Sequence, residues 1–151
     1  MDQLAVVLQS LASTDNVARQ NAEKSLNEQL TTSAHTLLPN LTSLICSHPD
    51  PMVFELTLKT SNSLLKQKAF AAVLFRRMAL KSSSEADDAP SYYTTMGTEA
   101  RTFCETNLLS SLTKETDPSV RRKVCDTISE IARFLWAYGG TSASRFSSRL
   151  I

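Results

Sequence analysis

The sequence predicts an all-α protein assembled from paired helices. Three observations carry that prediction. Apolar residues recur at steps of three and four through most of the 151 residues, the period of a helix that buries one face. Only 3 glycines occur, Gly97, Gly139 and Gly140, and none lies in a strongly periodic stretch. That leaves little material for tight hairpin turns, phosphate-cradling loops or a dinucleotide fingerprint. Finally, helix-opening Asp residues recur along the chain at Asp15, Asp50 and Asp117.

The elements follow in order. Leu4, Val7, Leu8 and Leu11 mark an amphipathic helix over 1–11. Ser13, Thr14 and Asp15 supply stop and cap chemistry. Ala18, Ala22, Leu26 and Leu30 then mark a second helix over 16–30, with Arg19, Glu23, Lys24 and Glu28 on its other faces. Residues 31–34 read as a break. A third helix over 35–46 carries the stripe Leu37, Leu38, Leu41, Leu44 and Ile45, with Pro39 expected in its first turn, where a missing N–H costs little. The run Ser47-His-Pro-Asp-Pro51 stops it. A long helix is expected over 52–81, strongest in Ala69-Phe-Ala-Ala-Val-Leu-Phe-Arg-Arg-Met78.

Residues 82–91, SSSEADDAPS, read as a polar linker whose far end Tyr92 and Tyr93 pack. A fifth helix over 98–112 uses Ala100, Phe103, Leu108, Leu109 and Leu112. In the sixth, Asp117 is the N-cap and Pro118 the first helical residue. Its stripe is Val120, Val124, Ile128, Ile131 and Leu135, and Gly139-Gly140 ends it. The remaining residues have no helical period and are expected to be mobile.

The helices pair, and the second member of each pair opens alike. The openings are Asp15-Asn-Val-Ala-Arg19, Asp50-Pro-Met-Val-Phe54 and Asp117-Pro-Ser-Val-Arg121. In each, the acid caps a helix and the apolar residue three positions on starts the buried stripe. Arg19 and Arg121 are then placed to reach an acid in a neighbouring pair. Such recurrence is the mark of HEAT-type helical-hairpin repeats, whose period is about 40–47 residues. The fold class is therefore an all-α HEAT-repeat solenoid of about three repeats. The interval from Asp50 to Asp117 is nearly twice that from Asp15 to Asp50, so residues are surplus in between. The resulting division is repeat one over 1–33, repeat two over 34–81 with an insertion at 54–68, a linker over 82–95, repeat three over 96–138 and a disordered tail over 139–151.

Charge and chemistry narrow the function. Lys and Arg number 16 against 15 Asp and Glu, a net charge of +1, which argues against electrostatic binding of nucleic acid. The longest apolar run, 69–75, is far too short to span a bilayer, and 1–11 lacks the basic start of a secretory signal. Cys46, Cys104 and Cys125 are an odd set without a CxxC pair, which fits free, mostly buried thiols in a reducing compartment. Cys125, beside the stripe of the sixth helix, reads as packed. His35 reads as a surface residue. Neither it nor His48 has a nucleophile partner in a recognisable motif, and Cys46-x-His48 matches no zinc spacing. The expectation is a chain without enzymatic activity, metal or cofactor. Its candidate partner-binding residues are the basic clusters Arg76-Arg77 and Arg121-Arg122-Lys123. Two readings compete for them: ion pairing with carboxylates such as Asp126 or Glu130, and contact with an acidic partner surface.

Two segments resemble a known family. Ala71-Ala-Val-Leu-Phe-Arg-Arg-Met78, and the longer run from Glu115-Thr-Asp-Pro-Ser-Val-Arg-Arg-Lys-Val-Cys-Asp126 to Ala132-Arg133, are similar to the N-terminal repeats of importin-beta (karyopherin-beta) receptors, nearest the importin-five branch. The opening Asp15-Asn-Val-Ala-Arg-Gln-Asn-Ala-Glu23 fits the same pattern. The resemblance covers about 1–53 and 69–135; residues 54–68 and 136–151 depart from it. It implies a nuclear transport receptor that shuttles between cytoplasm and nucleus. Its N-terminal second helices would bind the GTP-bound form of the small GTPase Ran, with nucleoporins as further partners. It also implies that most cargo-binding repeats of such receptors lie outside this sequence, so that a truncated product without function is an alternative. A HEAT scaffold of another class, a vesicle-coat or cytoskeletal adaptor, is the other alternative. Acidic or neutral inter-helix turns at 13–15, 47–50 and 115–117 count against a tubulin binder.

Overall fold

A computed structural model describes residues 2–47, 58–85 and 89–138. It is all-α, with six helices packed together: α1 (Asp2–Leu11), α2 (Asn16–Ile45), α3 (Leu58–Ala79), α4 (Tyr92–Thr95), α5 (Thr98–Lys114) and α6 (Pro118–Tyr138). Among the described residues there is no strand, only an isolated antiparallel bridge between Ser82 and Ser91. The expected Asp50 cap, residues 54–57 and the tail 139–151 lie outside the described residues.

The apolar stripes do what their spacing requires. Leu8 of α1 is buried, with Leu4, Val7 and Leu11 packed beside it. In α2, Ala22, Leu26 and Leu30 point inward from one half, and Leu37, Leu38, Leu41 and Ile45 from the other. The break between the halves is narrower than the sequence implies. Ser33 alone leaves helical geometry, at φ −152° and ψ 53°. Three consecutive hydroxyls fold back beside it: Thr31 and Thr32 donate to the Glu28 carbonyl and Ser33 to that of Gln29. Such local bonds compete with the helical ladder and favour a bend. Because the helix resumes at once, Pro39 lies inside it and not in a first turn. The His35 carbonyl loses its intrahelical donor there, at an exposed position that water can serve.

Residues 58–68, placed in an insertion by their irregular sequence, run unbroken into the rest of α3. Ala71, Ala72, Phe75 and Ala79 form its fully buried face. The described part of the following linker is closed on itself: the Ser83 N–H donates to the Pro90 carbonyl and the Tyr92 N–H to that of Lys81. Ser91 then caps the short α4, and Tyr92, Tyr93 and Met96 are buried.

In α5 the inward residues are Cys104, Leu108 and Ser111, with Leu109 and Leu112 partly buried. Phe103, expected in the stripe, is 43% exposed. Phe103 lies one residue before Cys104, which turns it off the inward face formed by Cys104, Leu108 and Ser111. The α6 stripe needs no correction. Asp117 accepts from the Val120 N–H at 2.9 Å, and Val120, Val124, Ile128, Ile131 and Leu135 are all buried. Each such side chain contributes about 1.5–3 kcal/mol of burial free energy, so this one stripe is a major share of the core.

Packing follows a simple order. Helix α2 contacts α1, α3 and α5; α3 also contacts α6; and α5 closes against α6. Helix α3 is thus flanked by α2 and α6.

Candidate functional site

The basic clusters occupy two separate places. Arg76 and Arg77 lie in the last turn of α3, where cations complement the negative end of the helix dipole. Arg76 is half-buried and Arg77 exposed. Arg121, Arg122 and Lys123 lie at the start of α6, all exposed. Glu115 meets Lys68 and Thr127 Oγ1 donates to the Ala72 carbonyl, so α6 runs along α3 in the same sense. That puts residues 121–123 toward the Lys68 end of α3 and Arg76–Arg77 toward the other. The clusters do not merge into one patch.

The carboxylates expected to pair with them do not. Among the described residues, Glu130 pairs with Arg133 at 3.8 Å, and neither Asp126 nor Glu130 forms an ion pair with the clusters. Arg121 instead donates through its guanidinium to the backbone carbonyl of Glu115, across the α5–α6 turn. Arg19, its counterpart near the start of α2, donates to the Asn16 side chain. Both arginines bond at the mouth of their own helix, and neither forms an ion pair among the described residues. Arg122 and Lys123 make no ion pair among the described residues.

The one buried ion pair of the described residues was not foreseen. Lys68 and Glu115 are 1% and 3% exposed and hydrogen-bonded to each other, joining α3 to the α5–α6 turn. Glu115 accepts with its other oxygen from the Asp117 N–H at 3.0 Å, and its own N–H donates to the Ser111 carbonyl. Burial by itself would push the Glu115 carboxyl up. The hydrogen bond from Lys68 and those from the Asp117 and Thr116 backbone outweigh it and hold the carboxyl below its ordinary value. The sequence did carry a signal: Lys68 is in phase with Ala72 and Phe75 on the buried face of α3.

A groove of about 720 Å3 opens between the first half of α2 and the end of α3. Its floor is apolar, from Leu11, Leu26, Phe70, Leu74 and Met78. Its rim is polar: Arg19, Glu23 and Asn27 on α2 face Arg77 and Lys81. Lys81 donates to the Asn27 side chain at 3.1 Å, which ties the two walls together. Of the sequence-derived candidates, only Arg77 lines this groove.

The cysteines are free. Cys104 is buried, and burial pushes its thiol up to about 11, against a hydrogen bond with Thr42. Cys46 is half-buried and raised for the same reason. Cys125, expected to be packed, is exposed: it lies one residue past Val124, which rotates it off the stripe. Tyr93 donates to Glu105 at 3.0 Å, and burial with that nearby carboxylate pushes its hydroxyl well above the usual phenol range. Among the described residues no group of three His, Cys, Asp or Glu side chains is placed to hold a metal ion, and no helix is long and apolar enough to cross a membrane. No protein-family model and no curated protein matches the chain.

Proposed function

We propose that the chain is a protein-binding module of HEAT-type helical hairpins, from the N-terminal part of a nuclear transport receptor, and that its partner is the GTP-bound form of Ran. One observation supports this most: α2, α3 and α6 pack in sequence, and the exposed cations Arg122 and Lys123 on α6 have no ion-pair partner among the described residues. A charged side chain left unpaired on a rigid helix is available to a complementary surface, where it sets association rate and specificity. The choice of Ran rests on the importin-like runs around 71–78 and 115–133.

The test is retention of the chain on immobilised Ran loaded with a non-hydrolysable GTP analogue, against Ran loaded with GDP. Retention by the GTP form alone, lowered by Arg122→Glu with Lys123→Glu, supports the proposal. Equal retention by both forms, or none by either, overturns it.

A further inference from the structure

The rim of the α2–α3 groove carries three cations, Arg19, Arg77 and Lys81, against one carboxylate, Glu23, above a floor of Leu, Phe and Met side chains. Two of these cations are anchored by neutral partners, Arg19 by Asn16 and Lys81 by Asn27, and among the described residues neither forms an ion pair. Arg77 forms no ion pair among the described residues. The groove therefore combines an apolar trough with a rim that is net positive among the described residues. Its volume suits a few apolar side chains, which would meet the half-buried Leu11, Phe70 and Leu80, with Leu26, Leu74 and Met78 buried beneath.

We infer that this groove is a docking site for an acidic amphipathic helix of a partner protein, one that seats Leu or Phe side chains in the trough and sets Asp or Glu against Arg19, Arg77 and Lys81. Helix-in-groove recognition reads apolar anchors at helical spacing, and the trough runs between two helices that supply such a channel. A purely basic patch for polyanions would not expose an apolar floor, and a purely apolar trough would not select for charge. The site is separate from the α6 cluster used above and does not depend on Ran being the partner.

The experiment uses the 151-residue chain and a short fluorescein-labelled helical peptide with Leu and Phe on one face and Asp and Glu on the other. Fluorescence anisotropy should show saturable binding that weakens as salt rises. Arg19→Glu with Lys81→Glu should weaken it about tenfold, and the milder Arg19→Gln with Lys81→Gln should weaken it less. Circular dichroism reports that both variants keep their helices. Arg122→Glu with Lys123→Glu should leave the peptide affinity unchanged, which separates this site from the Ran proposal. Equal affinity for a peptide with Lys in place of the acids, or for one with Ser in place of Leu and Phe, would overturn the inference. So would the absence of saturable binding to the folded chain.

Discussion

Helix α3 meets α6 on one flank and α2 on the other, and the two seams are built differently. Toward α6 the contact is closed. The fully buried Ala72 and Phe75 belong to a core shared with Val124 and Ile131, Thr127 bonds to an α3 carbonyl, and Lys68 is sealed against Glu115. Toward α2 the C-terminal half of α3 leaves a trough, crossed by the Lys81–Asn27 bond and edged with charge. The closed seam uses its polar groups internally; the open seam presents them. The α6 flank thus buries its polar contacts with α3, and the α2 flank leaves charged side chains at the surface of a groove.

The strongest way to break that division is Glu115→Ala. It strands the Lys68 ammonium in the closed seam and should cost about 3–5 kcal/mol, read from urea unfolding. The paired replacement Lys68→Met with Glu115→Leu removes both charges and should return to within about 1 kcal/mol of the unaltered chain. A seam that depended on the ion pair for its net stability would not recover.

Acid provides a second handle on the same seam. Glu115 has its carboxyl lowered in the folded state, so its stabilisation is full above the unfolded carboxyl value of about 4.3 and is lost as pH falls through the folded value. The unaltered chain should therefore lose more stability than the Lys68→Met, Glu115→Leu variant between about pH 5 and pH 3. Parallel loss in both would place the acid-sensitive group elsewhere.

A smaller effect is expected at the mouth of the closed seam. Asp117→Ala removes the acceptor for the Val120 N–H and should cost about 1 kcal/mol in the same unfolding measurement. Asp15→Ala, which frees the Val17 N–H at an exposed turn, should cost no more.

The smallest expected effect belongs to the open seam. Arg19→Glu with Lys81→Glu alters exposed side chains and should change stability by no more than about 0.5 kcal/mol. A large loss would mean that the rim charges hold the helices together, which would erase the contrast between the two flanks.

The sequence by itself determined the helical stretches of α1, α2, α3, α5 and α6, though not the short α4 or the continuity of α2, together with the Asp117 cap and most apolar faces, because periodicity and capping are local and burial of apolar area is non-directional. Whatever packs against the α6 stripe, its five apolar residues go inward. The same logic failed for Phe103 and Cys125, where a single residue of rotation off the buried face sets exposure. Only the tertiary structure decided where the polar groups go. Lys68 and Glu115 are 47 residues apart, and nothing local indicates that one will neutralise the other. Arg121 found a backbone carbonyl where a side-chain acid was expected, and Arg77 came to face Arg19 and Glu23 across a groove that no single helix contains. Hydrogen bonds and ion pairs are directional and short-ranged, so their partners are fixed only once the helices have taken their places.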